Sequence, residues 1–298
     1  MPTLKRPARL EFQLASHSPK ATPAMPILAN LLVAATTLAV VAALVPAAEA
    51  APTGVSPWSD DHASRARLLA GDATPQERWA GLEIEMEPGY RTYWRTPGDS
   101  GIPAELDWSG SRNVAAVEVE WPAPARFADP YGAYYGYQDH VVLPLRVTPE
   151  DPAEPASLSL SLFYGVCKEI CIPATAEVAL TLPPEPVGST PAIARARDAV
   201  PARVALGETR DALAVLDVAT AGADDLAVRV AAPRDAMLLA EGPDSSWFLA
   251  ASERADAEGV FAIEIVHRPR EAEGPLPLRL TLVAPDGAIE VETRVPLD

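Results

Sequence analysis

The sequence predicts an all-β fold, built as two β-sandwiches in tandem. Three observations carry this. Apolar and polar residues alternate with a period of two through most of the chain, turn signals recur about every ten residues, and one proline-rich stretch divides the pattern. In Gly81–Glu87, Leu82, Ile84 and Met86 alternate with Glu83, Glu85 and Glu87, as in a half-buried strand. Val117–Trp121, Val141–Val147, Leu158–Tyr164 and Glu177–Leu182 follow the same rule, separated by turns such as Pro88-Gly89, Pro97-Gly98 and Ser109-Gly110. Pro183–Pro201 interrupts it with a proline-rich connection that has room for one short helix. Beyond it, strands are expected at Leu213–Val218, Leu226–Ala231, Trp247–Ala250, Val260–Val266, Leu278–Val283 and Ile289–Val295. The expected organisation is therefore a leader over 1–50, a first sandwich over 51–183, a linker over 184–201 and a second sandwich over 202–298.

The leader reads as a signal peptide. Ile27–Val45 is an almost unbroken apolar run, preceded by Lys5, Arg6, Arg9 and Lys20 and followed by Ala48-Glu49-Ala50, which fits a small-residue cleavage site. Its 19 residues are close to the length that spans a bilayer, so a retained N-terminal membrane anchor is the rival reading. Either way the rest of the chain is exported, which permits disulfide chemistry.

Charge excludes some partners. The chain carries 24 Lys and Arg against 41 Asp and Glu; residues 1–50 hold four and two of these, leaving 20 against 39 and a net charge of −19. A surface that acidic argues against nucleic acid and anionic lipid. With 48% apolar residues the chain has enough material for a proper core.

The two cysteines, Cys167 and Cys171, lie four residues apart in Leu158–Pro173, LSLSLFYGVCKEICIP. A bridge closing so small a loop constrains little of the unfolded chain, because the entropic gain grows with loop length. The pair reads first as a redox couple and second as a crosslink. It sits between two expected strands, where a partner thiol has access. As one helical turn the segment would set the Cα atoms about 6 Å apart, within the usual disulfide range of about 4.4–6.8 Å. Lys168, the one lysine beyond residue 20, stands between them and would favour a thiolate, although Glu169 beside it opposes that effect.

Aromatic residues cluster in two further blocks that read as loops, Tyr90–Pro103 (YRTYWRTPGDSGIP) and the end of Trp121–Leu145 (FADPYGAYYGYQDHVVLPL). Six of the seven tyrosines fall there: Tyr90, Tyr93, Tyr131, Tyr134, Tyr135 and Tyr137. Such clustering points to a shared surface that could shield a disulfide from stray thiols.

At these three blocks the chain resembles the amino-terminal periplasmic domain of the disulfide reductase DsbD, and more so that of its relative ScsB. The resemblance covers roughly 56–183, more weakly the rest. It implies an immunoglobulin-like sandwich that accepts electrons from a membrane-embedded or thioredoxin-like donor and passes them to periplasmic client oxidoreductases, without a cofactor. Cys167 and Cys171 would be the redox pair, Tyr90 and Tyr93 the tyrosines beside it, and Asp129-Pro130-Tyr131-Gly132 the covering cap. Two departures stand out: the C-x3-C spacing is shorter than in DsbD, and Pro130 replaces the cap's aromatic, leaving Tyr131 or Tyr134 as the shield. The sequence has neither a multi-helix membrane part nor a C-x-x-C module, so a separate protein is expected to supply the electrons.

Two other classes compete on the residues alone. Two thiolates suit Cu(I), but His62, His140 and His267 are scattered singly and read as surface or turn residues. An inert structural bridge in an adaptor sandwich is the third reading. Glu83/Glu85 and Glu118/Glu120 read as solvated charge on strand faces rather than as catalytic carboxylates.

Overall fold

The computed structural model describes residues 54–74, 76–98, 101–129, 132–186, 188 and 190–297; the leader and Tyr131 lie outside them. The chain is all-β, of immunoglobulin-like sandwich type. Strands in its first part are β1 (Ser59–Asp61), β2 (Ser64–Ala73), β3 (Arg78–Met86), β4 (Arg91–Gly98), β5 (Glu105–Asp107) and β6 (Ala116–Val119). They continue with β7 (Ala125–Asp129), β8 (Gly132–Gln138), β9 (His140–Thr148), β10 (Ala156–Cys167) and β11 (Cys171–Leu182). One sheet runs β1-β2-β3-β9-β6 and the facing one β11-β10-β4-β8-β7, with β5 also on β10. Between them lies a core that includes Leu68, Leu82, Trp94, Leu145, Leu160 and Tyr164.

Residues 184–201 contain a helix, α1 (Pro191–Asp198). Thr190 caps its start by accepting a hydrogen bond from the Ile193 N–H, Pro191 stands at its first turn, and Arg195 and Arg197 face the negative end of its dipole. Ile193 is buried against Leu69 and Val142 of the first sandwich. The connection is thus docked rather than free-running.

The second part holds β12 (Ala202–Arg203), β13 (Ala214–Thr220), β14 (Asp225–Ala231), β15 (Met237–Glu241), β16 (Phe248–Ala251), β17 (Val260–His267), β18 (Leu276–Ala284) and β19 (Gly287–Val295). These make two four-stranded sheets, β12-β19-β18-β15 and β13-β14-β17-β16, around a core that includes Val228, Phe261, Ile263, Leu280 and Val291. Strand β15 serves both cores through its period of two. Leu238 and Ala240 enter the second core, whereas Leu239 enters the first with Met237 packed beside it. Glu241, next on that face, meets Arg95 of β4.

That contact is a largely buried polar network. Arg95 Nε donates to Glu241 Oε1 at 3.0 Å and Nη2 to Glu241 Oε2 at 2.6 Å. Nη2 also reaches Glu290 Oε2 at 2.5 Å, and Thr96 Oγ1 donates to Glu241 Oε1 at 2.6 Å. Burial alone would lower the Arg95 pKa, but pairing with Glu241 and Glu290 outweighs it and the net shift is upward.

Strand β11 is an edge whose outward N–H groups are partly covered. Thr175 N–H donates to Asp61 Oδ2 at 2.7 Å, and Glu177 N–H to Ser59 Oγ at 3.3 Å. Such covers keep an exposed edge from pairing with other chains. The bond from the Thr175 N–H is the main cause holding the Asp61 carboxyl below its ordinary value. A folded-state pKa below the unfolded one stabilises above the unfolded pKa and is lost as the pH falls through the folded one. Urea midpoints should therefore separate Asp61→Ala from the parent at pH 7 and converge near pH 2; a gap that persists in acid would mean the cap is not what Asp61 contributes.

Two expectations change. The aromatic blocks read as loops are largely strands β4, β7 and β8. Glu83 is not solvated: it is 8% exposed, and its carboxylate binds Arg67 Nε at 2.6 Å and His140 Nε2 at 2.9 Å.

Candidate redox site

Strands β10 and β11 form one long hairpin, and Cys167 and Cys171 stand directly opposite each other at its end. They are disulfide-bonded, with Cα atoms 4.1 Å apart. The segment is therefore not the helical turn that the spacing allowed. It is a cross-strand pair closed by Lys168, Glu169 and Ile170. Pairing continues through the cysteines because Val166↔Ile172 and Gly165↔Pro173 remain in register.

The two sulfurs live in different surroundings. Cys167 is 4% exposed and clusters with Tyr93 and Tyr134, with Ile102 and Phe127 packed against them. Cys171 lies on the edge strand and is exposed. Tyr93 Oη touches both, at 2.9 Å from each Sγ. Its ring fits there because residue 165 has no side chain; a Cβ at Gly165 would lie 2.8 Å from it. On the neighbouring strand β8, a Cβ at Gly136 would fall 2.0 Å from the Thr92 carbonyl oxygen, so glycine lets β4 and β8 close up behind the tyrosine.

Tyr134 packs edge-on against Tyr93 at 5.5 Å between ring centroids, and Phe127 stacks on Tyr134 at 5.5 Å. Arg91 ties this stack together. Its guanidinium lies 4.6 Å from the Phe127 ring centroid, and Nη1 donates to Tyr134 Oη at 2.9 Å. Arg91 also faces Cys167 in the ladder between β4 and β10.

Of the expected site residues, the structure thus brings Cys167, Cys171, Tyr93 and Tyr134 together. Lys168 turns aside: Nζ donates to the Pro88 carbonyl at 3.2 Å and sits 5.2 Å from the Tyr90 ring centroid. Tyr90 therefore belongs to the base of the hairpin turn and packs on the first core. Tyr137, grouped with the surface tyrosines in the sequence, is core; its hydroxyl donates to the Pro122 carbonyl at 2.8 Å. Phe127 and Arg91 were not singled out, although both lie inside the aromatic blocks, Arg91 two residues before Tyr93 and Phe127 directly opposite Tyr134. Ile170, at the hairpin tip next to Cys171, was also missed, and at 72% it is the most exposed large apolar side chain described. Among the described residues no three His, Cys, Asp or Glu side chains converge as metal ligands would, and no helix is long and apolar enough to cross a membrane.

Residues 63–183 match the family described as thiol:disulfide interchange protein DsbD, N-terminal. Among solved structures, the N-terminal periplasmic domain of ScsB from Proteus mirabilis aligns with a TM-score of 0.60 and 17% identity, over 82% of this chain and 99% of that one. An endo-fucoidan hydrolase of glycoside hydrolase family 107 aligns at TM-score 0.22 and 13% identity, over 70% of this chain and 34% of that one; a score so low carries no argument. No curated protein matches the sequence.

Proposed function

Residues 63–183 form a DsbD/ScsB amino-terminal domain, and from that premise we propose that the chain is a periplasmic thiol–disulfide exchange protein. It relays electrons from a membrane-embedded or thioredoxin-like donor to client oxidoreductases through Cys167 and Cys171. The periplasmic location is taken from the similarity to the periplasmic domain of ScsB. The redox unit is the sandwich over 51–183, joined through 184–201 to a second sandwich over 202–298.

The observation that carries this reading is the division of the pair into one exposed and one buried sulfur, with a phenol on both. In the reduced protein the exposed Cys171 thiolate attacks a client disulfide. A Cys171–client S–S bond forms, the client bond breaks, and the leaving client thiolate takes up a proton. Cys167 then attacks Cys171 Sγ, closing the intramolecular bridge and releasing the second client thiolate. Two electrons leave the protein and one client disulfide becomes a dithiol. A donor dithiol recharges the pair by the reverse sequence on Cys171.

The Tyr93 hydroxyl supports the buried partner, because a thiolate accepts a hydrogen bond more strongly than a disulfide sulfur does. Tyr93→Phe should therefore disfavour the reduced form. One lost bond of about 0.5–1.5 kcal/mol corresponds to a potential about 10–30 mV more negative for a two-electron couple. An unchanged potential would remove Tyr93 from the mechanism.

The deciding experiment is the reduction potential of the protein, equilibrated in glutathione buffers and read by thiol labelling. A reversible midpoint between about −180 and −270 mV lies within the span of exchange proteins. A bridge still oxidised below about −300 mV behaves as a structural crosslink, and the proposal then fails.

A further inference from the structure

Exchange at Cys171 has a direction. The disulfide joins directly opposed residues of β10 and β11, so its S–S axis runs across the strands. In-line attack on Cys171 Sγ, with Cys167 as leaving group, therefore comes from beyond β11. Among the described residues no strand pairs with β11 on that side, and β1 lies only along its middle.

The backbone of that edge follows a period of two. Thr175 and Glu177 point their N–H groups outward, where Asp61 and Ser59 accept them. Cys171 and Pro173 share their parity, so the Cys171 N–H and C=O and the Pro173 C=O also face outward. The edge is covered in its middle and open at the disulfide. Residues exchanging backbone bonds across antiparallel strands have Cα atoms about 5.5 Å apart, which is the usual Cα separation across a disulfide. A partner cysteine directly opposite Cys171 would thus be held at bonding distance by the backbone itself.

We propose that clients and donors dock by strand addition: an extended, cysteine-bearing polypeptide segment pairs antiparallel with the Cys171–Pro173 edge. The partner cysteine exchanges two backbone bonds with Cys171. The residue two positions before it donates its N–H to the Pro173 C=O, and the residue between them points its N–H away. Ile170 borders the seat with its exposed side chain. This inference rests on the exchange reading and names how the partner is held.

The test uses the reduced protein and a seven-residue extended peptide whose central cysteine is disulfide-bonded to thionitrobenzoate. Each turnover yields the protein disulfide, the peptide thiol and coloured thionitrobenzoate. N-methylation two residues before the cysteine should slow release at least about three- to ten-fold, the equivalent of one backbone bond. N-methylation one residue before it should leave the rate unchanged, and a control disulfide of thionitrobenzoate with a small thiol that has no peptide should also react. Equal rates for the three peptides, with the control disulfide reacting, overturn strand addition and leave exchange standing. If the control disulfide is also inert, the exchange reading fails and this inference with it. A dimer in sedimentation of the oxidised protein that blocks peptide reaction would assign the edge to a second copy instead, which also overturns the proposal.

Discussion

Cys171→Ser is expected to bring exchange down to the uncatalysed background and to trap nothing, whereas Cys167→Ser should accumulate mixed disulfides with clients. The asymmetry follows from burial. A client sulfur can reach Cys171 on the edge strand, but Cys167 is enclosed by Tyr93, Tyr134, Ile102 and Phe127. Without Cys167 the mixed disulfide has no internal thiolate to resolve it, so it persists until an external thiol intervenes. Without Cys171 the remaining thiol has no path to a partner. Non-reducing electrophoresis of the two variants after incubation with an oxidised client reads both outcomes. Trapping through Cys167 in the Cys171→Ser protein would reverse the assigned roles.

Arg95→Met is the substitution expected to cost the most stability. It leaves Glu241 and Glu290 facing each other with side chains only 11% and 5% exposed. Removing one partner of a buried ionic network typically costs about 3–5 kcal/mol. Arg203 and Arg279, 3.5 and 3.9 Å from Glu290, compensate only part of that. The sign of the pH dependence is distinctive. Without the arginine, like charges on the two carboxylates oppose folding only while both are ionised, so the variant's deficit should shrink as the pH drops into the carboxylate range. Urea unfolding at pH 7 and pH 4.5 measures it. An equal deficit at both would mean that lost packing of the arginine stem, rather than charge, sets the cost.

How far the sequence was legible varied with the physics of each segment. Strands buried on one face, such as β11, β14 and β17, announce themselves by alternation, and their cores were foreseeable. Strand β15 did not, because Met237-Leu238-Leu239-Ala240 is apolar on both faces and a strand shared by two cores loses its period. The β4, β7 and β8 segments were obscured by glycine and proline, residues that usually mark turns; here Gly136 admits close packing of β4 on β8 instead. The cysteine pair was visible from spacing alone. Its hairpin geometry and the unequal exposure of its sulfurs were not, since both depend on β4 and β8 folding over Cys167. Tyr93 and Tyr134 were found through the aromatic blocks and their resemblance, while Arg91 gave no local sign because Tyr134 and Phe127, which it holds, lie far from it in sequence.

The placement of the disulfide has a consequence for how the protein is used. It is the last of twelve paired positions in the β10–β11 hairpin and closes over three residues. Opening it forfeits no more than about 2 kcal/mol by loop entropy, against the roughly 5–15 kcal/mol typical of a folded domain. Loaded and empty forms should melt as the same body and present the same outline. If the pair carries electrons as proposed, a carrier that keeps its shape cannot use conformation to tell whether it holds its cargo, and the route of electrons is then set by the relative potentials of whichever proteins meet it. Traffic through such a node is governed from outside.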